Sequence, residues 1–228
     1  MLSTSSFMGG DMARLPVEGS GYADGFENVM MRRPLVAILN GVRPDDIVVI
    51  ADAIIKRGIK IIEVPLESQY SLLSIAHLRA AFDGCAMIAA GNVTCVSDVK
   101  RAAGVGAAII TSPNINTAVV REVLSAGLVS VPGVSTITEA YAAIEAGAHA
   151  IKAFPAEQIG PKSIAVWSKS LPPGTKILAV GGIDEHNIRV YRNSGATGLG
   201  LGEALYKPGF TVDDVGTRAA RLCAAWEK

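Results

Sequence analysis

Surplus charge is the first thing this sequence lacks: 21 Lys and Arg balance 21 Asp and Glu over 228 residues, for a formal net charge of zero. Polyanions and anionic membranes are drawn by an excess of positive charge, so neither nucleic acid nor a membrane surface is an expected partner. Long apolar runs are missing as well. No stretch reaches the roughly 18 residues that a spanning helix needs, and the chain does not open on a basic segment followed by an apolar one. A soluble, cytoplasmic protein is expected. Cysteine is scarce, and Cys85, Cys95 and Cys223 lack the spacing of metal ligands. An odd set of this kind fits reduced thiols rather than a disulfide framework. Finally, no Gly-rich dinucleotide fingerprint follows the first apolar run.

What is present is apolar and rhythmic. Half of the residues are hydrophobic and only 18% are charged, enough to bury the core of one domain at this length. Residues 1–28 are rich in Gly, Ser and Met without periodicity, and are expected to be an extension that is mobile or packed only at its end. The domain then occupies residues 29–228. Eight short apolar runs follow: Leu35 to Leu39, Ile59 to Val64, Ala86 to Ala90, Ala107 to Thr111, Leu128 to Val131, Ala148 to Phe154, Lys176 to Val180 and Thr197 to Leu201. Helical patterns separate them at a spacing that suits one strand, one helix and two short loops. Glycines 58, 104, 127, 147 and 195 each stand between a helical pattern and the next run, as left-handed helix C-caps do. Pro44-Asp45-Asp46 and Thr136-Ile137-Thr138-Glu139 mark helix starts, the second in capping-box spacing. Alternation of this kind predicts a parallel sheet with helical crossovers, and eight units predict a compact (β/α)8 TIM barrel. A doubly wound open sheet is the alternative.

A barrel places its chemistry at the C-terminal ends of its strands. Lys152 lies late in the run Ala148 to Phe154, and Glu63 late in the run Ile59 to Val64. Strands covered on both faces are nearly all apolar, so each charge needs a reason. A buried lysine loses its proton more readily, and the neutral amine can attack a carbonyl to form a Schiff base. A carboxylate nearby either pairs with it structurally or moves protons. Gly181-Gly182 after the seventh run, with Gly198, Gly200 and Gly202 across the eighth, would expose backbone amides as a phosphate cradle.

Read in order, Glu63-Val64-Pro65-Leu66, Ser112-Pro113-Asn114, Pro132-Gly133-Val134-Ser135-Thr136, Lys152-Ala153-Phe154-Pro155-Ala156-Glu157 and Gly181-Gly182 resemble one family. It is that of the bacterial class I aldolases for 2-keto-3-deoxy-6-phosphogluconate and 2-dehydro-3-deoxy-6-phosphogalactonate. The resemblance runs from about Pro34 to the C-terminal helix. It implies Lys152 as the Schiff-base lysine, Glu63 as the proton shuttle, and reversible cleavage of a keto-deoxy sugar acid to pyruvate and an aldehyde without metal or other cofactor. It also implies a homotrimer. Substrate contacts are then expected from Asn40, Arg43, Asn92, Pro113, Thr136 and Phe154, and phosphate contacts from Gly181, Gly182, Gly200, Gly202 and Glu203.

Four positions depart from the family pattern. Asn40 stands where the galactonate branch carries Arg, and Glu67 where the gluconate branch carries its carboxylate-binding Arg. Arg43 is either a substitute from the first loop or a plain solvent-facing Arg. Asn92 replaces a Thr, and Glu203 replaces a phosphate-site Ser, where a carboxylate would repel phosphate unless it points away or pairs with Lys207. Two other functions therefore stand beside the first: an aldolase for an unphosphorylated sugar acid, and a barrel that binds a sugar phosphate without turnover.

Overall fold

The computed structural model of the protein describes residues 21–228. Its strands are β1 (Leu35–Ile38), β2 (Ile61–Pro65), β3 (Met87–Gly91), β4 (Ile109–Thr111), β5 (Val129–Val131), β6 (Gly133–Val134), β7 (Ile151–Ala153), β8 (Ile177–Val180) and β9 (Gly198–Leu201). All ladders are parallel, in the order β5-β4-β3-β2-β1-β9-β8-β7-β6. The two ends of this list are one length of chain, because only Pro132 separates β5 from β6. The sheet thus closes on itself, and eight staves form the expected TIM barrel.

The ninth strand comes from a split in the fifth stave. Proline has no N–H to give a ladder, so Pro132 interrupts the strand while its carbonyl still accepts from Lys152 N at 2.8 Å. The helices are α1 (Tyr22–Arg32), α2 (Ile47–Ile55), α3 (Ser71–Phe82), α4 (Val96–Gly104), α5 (Thr117–Ser125), α6 (Ile137–Glu145), α7 (Ala156–Ser170), α8 (Ile188–Asn193) and α9 (Val212–Glu227). The capping box at Thr136 and Glu139 is formed. Four of the five glycine caps take positive φ; at the fifth, Gly104 ends α4 and Gly106 makes the left-handed turn instead, at φ 91°.

Strand alternation divides the core in two. Residues that point outward, such as Leu35, Ala37, Ile62, Val64 and Ile110, pack under the helices. Those that point inward, such as Val36, Ile38, Ile61, Ile109, Val129, Val131, Leu178 and Val180, fill the barrel. Burying each such large aliphatic chain stabilises the fold by about 1.5–3 kcal/mol.

The end of the barrel opposite the C-terminal strand ends is closed by α1. Its Phe26, Val29 and Met30 lie on one face at helical spacing and join the barrel interior, Phe26 being 1% exposed. Glu27 on the same helix pairs with Lys176, the residue before β8, at 2.6 Å. The extension expected through residue 28 is packed at its end, where residues 22–28 form the first part of α1. Residues 1–20 lie outside the described residues.

Candidate active site

Glu63 and Lys152 both point into the upper layer of the barrel, with Ile38, Thr111, Val131 and Val180 around them. Both are buried, at 4% and 5% exposure. Sheet register explains their position: Ile38 pairs with Glu63 across β1 and β2, and Gly133 with Lys152 across β6 and β7. Gly91, at the end of β3, makes room for the carboxylate. A Cβ there would stand 3.0 Å from Glu63 Cδ and closer still to Oε1, so no larger residue fits without moving Glu63.

The two charges do not pair. Among the described residues no ion pair and no hydrogen bond engages the Glu63 carboxylate, and Lys152 Nζ has one side-chain partner, Thr111 Oγ1, at 3.4 Å. The structural Lys-Glu pair is thereby excluded. Nζ also lies 5.3 Å from the centroid of the Phe154 ring. The competing lysines are elsewhere: Lys176 is held by Glu27 at the closed end, and Lys60 precedes β2 at that same end. Burial lowers the pKa of Lys60, but it does not line the space around Lys152.

Above the pair opens a cavity of about 980 Å³. Of the expected residues, Asn40, Asn92, Phe154, Gly181, Gly182, Gly200, Gly202 and Glu203 line it together with Glu63 and Lys152. Three do not. Arg43 faces solvent with 74% of its side chain exposed and pairs with Asp45 at 3.5 Å, the plain loop arginine of the two alternatives. Thr136 is the N-cap of α6, its Oγ1 accepting from Glu139 N at 3.2 Å. Pro113 packs its backbone against Gly133, where a Cβ would meet it.

The departures from the family pattern have defined partners. Asn92 occupies the left-handed region at φ 57°, which Asn tolerates better than most residues, and its Nδ2 donates to Glu67 Oε1 at 2.9 Å. Glu203 is paired with Lys207 at 3.0 Å, and its side chain is 81% exposed. Its carboxylate is thus paired with a cation at the solvent-facing rim of the cavity.

Sequence reasoning missed several lining groups. Glu157, Asp184, Glu185 and His186 border Gly181-Gly182, and Arg218 reaches in from α9. Arg218 donates to Ala204 O at 3.2 Å and stacks 4.3 Å from the Phe210 ring. Glu185 is taken by Arg221. Asp184 accepts from the backbone N–H groups of His186 and Asn187 at 2.9 and 3.1 Å. The side chain of Glu157 packs against Gly182, and with burial its charge pushes the nearby Tyr191 hydroxyl pKa upward, burial being the larger cause. Only the Pro-Ala-Glu motif pointed at Glu157. Nothing in the sequence links Arg218 to a site begun at Asn40.

Known proteins agree with this geometry. The family model described as "KDPG and KHG aldolase" matches residues 26–215. A probable 2-dehydro-3-deoxy-6-phosphogalactonate aldolase of Rhizobium meliloti (strain 1021) is 42% identical over 198 residues, covering 86% of this chain and 93% of its own. The 2-dehydro-3-deoxy-6-phosphogalactonate aldolase of Escherichia coli (strain K12) is 36% identical over 195 residues, covering 86% and 95%. A solved structure titled "Native KDPGal structure" superposes with a TM-score of 0.84 at 36% identity, over 86% of this chain and 95% of that one. A cube-shaped protein cage designed by fusing symmetric oligomeric domains gives the same TM-score and identity over 86% and 73%. With a barrel, a buried lysine and a carboxylate facing one cavity, the chain belongs to the KDPG and KHG aldolase family, whose members are carbon–carbon lyases.

Proposed function

We propose that this protein reversibly cleaves a 2-keto-3-deoxy-6-phospho sugar acid, of phosphogalactonate or phosphogluconate type, to pyruvate and glyceraldehyde 3-phosphate. One observation carries the reading: Lys152 is buried at the floor of the cavity beside Glu63, with neither group committed to an ion pair among the described residues. The Lys152 amine attacks the substrate keto carbon, and loss of water leaves an iminium. That iminium accepts the electron pair of the breaking C3–C4 bond while Glu63 takes the proton of the C4 hydroxyl, through water where needed. The resulting enamine is protonated and hydrolysed to release pyruvate. Phe154 and the apolar layer of Ile38, Val131 and Val180 limit water around the intermediate.

The phosphate reading is supported by Gly181 and Gly182, both at positive φ, and Gly200 and Gly202, with Lys207 and Arg218 beside them. The Glu203–Lys207 pair removes the main objection to it. A second reading, an unphosphorylated sugar acid, is favoured by the carboxylates Glu157, Asp184 and Glu185 on the same rim. Family membership sets aside a barrel without turnover. Assembly as a homotrimer in the cytoplasm is part of the proposal; the cage relative built from oligomeric domains supports an oligomer. No helix among the described residues is long and apolar enough to cross a membrane.

The test is borohydride reduction in the presence of pyruvate. The parent chain gains the mass of a reduced pyruvyl adduct, and Lys152→Ala gains none. An adduct that persists in Lys152→Ala and moves to Lys60 or Lys176 overturns the assignment. Paired assays with phosphorylated and dephosphorylated sugar acids separate the two substrate readings.

A further inference from the structure

We propose that Thr111 is a positioning residue for the nucleophile: its hydroxyl holds one N–H of the Lys152 amine and so aims the nitrogen lone pair at the substrate keto carbon. The proposal rests on the Schiff-base reading of Lys152. Thr111 ends β4, points into the barrel and is 4% exposed. Its inward neighbours in that layer include Ile38, Val131 and Val180, where a valine would match the threonine in shape. A hydroxyl in such surroundings costs free energy unless it is hydrogen-bonded. Its partner is Lys152 Nζ, and Thr111 is the one side chain among the described residues to which Nζ donates.

The geometry suits orientation rather than charge neutralisation. The backbone of Thr111 is fixed on both sides, by register with Val131 and by Val93 N donating to its carbonyl at 3.1 Å, and a β-branched side chain is stiff about χ1. Its Oγ1 is therefore a fixed point. Lysine ends in a freely turning amine, which in its neutral form has two N–H bonds and one lone pair. Anchoring one N–H removes that rotation. A separation of 3.4 Å is long for such a bond, as catalytic hydrogen bonds in unliganded enzymes commonly are before they tighten with substrate. In the step itself the Nζ lone pair forms the N–C bond, and the former keto oxygen takes one proton from the unanchored N–H and one from solvent and leaves as water as the C=N bond forms. The Thr111 hydroxyl is unchanged, and Glu63 remains free for the later proton transfer at C4.

The experiment compares Thr111→Val, Thr111→Ser and the parent full-length chain in two measurements: the rate of borohydride-trapped adduct formation with saturating pyruvate, and kcat and KM for cleavage. Thr111→Val is expected to slow trapping and kcat by roughly tenfold, the size of one hydrogen bond's contribution, with KM little changed. Thr111→Ser, which keeps the hydroxyl and loses a methyl, is expected to restore most of the rate. Thr111→Ala gives the same reading if the valine variant does not fold. Trapping at the parental rate in Thr111→Val or Thr111→Ala overturns the proposal, and so does a serine variant as slow as the valine one, which would make the role one of packing. A parent chain that forms no adduct overturns the Schiff-base reading itself, and the Thr111 role with it.

Discussion

The two ends of the barrel treat charge in opposite ways. At the end closed by α1, Glu27 is bound to Lys176 and the His149 ring nitrogen Nδ1 accepts from Ser130 N at 3.2 Å, over a plug of Phe26, Val29 and Met30. At the open end, Lys152 and Glu63 are more deeply buried than the Glu27–Lys176 pair and yet unpaired among the described residues. A buried charge without its counter-charge is unfavourable, so the closed end has the composition of a structure built for stability and the open end that of a site held ready for a reactant. Stability and chemistry are thus separable by mutation.

The largest effect is expected from Glu63→Gln, which keeps the shape at the open end and removes the base. Turnover should fall by roughly two to four decades, while borohydride trapping of pyruvate and the thermal midpoint stay near parental values; an unchanged turnover number would assign the proton transfer to another group. At the closed end Phe26→Ala should do the reverse. Truncating a fully buried Phe costs about 3–5 kcal/mol, read as a drop in denaturation midpoint, with the adduct on Lys152 still formed by the folded fraction. Loss of adduct without loss of stability would show that the two ends are not independent.

Smaller effects sharpen the contrast. Because Glu203 faces solvent in its pair with Lys207, Glu203→Ser should change KM for a phosphorylated substrate by less than about tenfold, as exposed pairs contribute about 1 kcal/mol or less. A larger fall in KM would mean the carboxylate turns into the cradle. The smallest effect is on pH. Burial lowers the His149 pKa below its ordinary 6.5, against an opposing influence of Glu27, so the unfolded chain takes up this proton first as pH falls. The stability contributed by neutral His149 is complete above about pH 6.5 and lost as pH drops through the folded value. Melting at pH 7.5 and at pH 5.5 should differ less in His149→Gln than in the parent; an equal difference would clear His149. Glu139, whose pKa is lowered chiefly by the backbone N–H of Ser135, loses its contribution only in the lower carboxylate range, so the two are distinguishable.

How much of this the sequence disclosed depended on whether a feature is local. The strand rhythm and the capping box follow from neighbours a few residues apart, and both appear in the structure; Lys152 and Glu63, expected late in their strands, are the middle residues of β7 and β2. The helix α1 was hidden because Gly25 weakens its propensity; what holds it is the contact of Phe26 with strands far along the chain. Arg43, Pro113 and Thr136 were drawn to the site by motif position, yet a neighbouring Asp, a strand backbone and a helix N-terminus claim them. Thr111 read as one more residue of an apolar run. Its contact with Lys152 is visible only once β4 and β7 face each other across the barrel. The cavity's Arg218 likewise depends on where α9 returns, which no spacing records.

The split at Pro132 bears on how the molecule behaves in company. A sheet with ends offers unpaired N–H and C=O groups to any passing strand, the usual starting point of edge-to-edge aggregation. Here both ends of the sheet belong to one stave, so the ring has no edge strand. The residue at the joint has no N–H, and its carbonyl is already taken by the N–H of Lys152. The seam of the barrel therefore offers neither a donor nor a free acceptor to a foreign chain, and it lies directly against the backbone of Lys152.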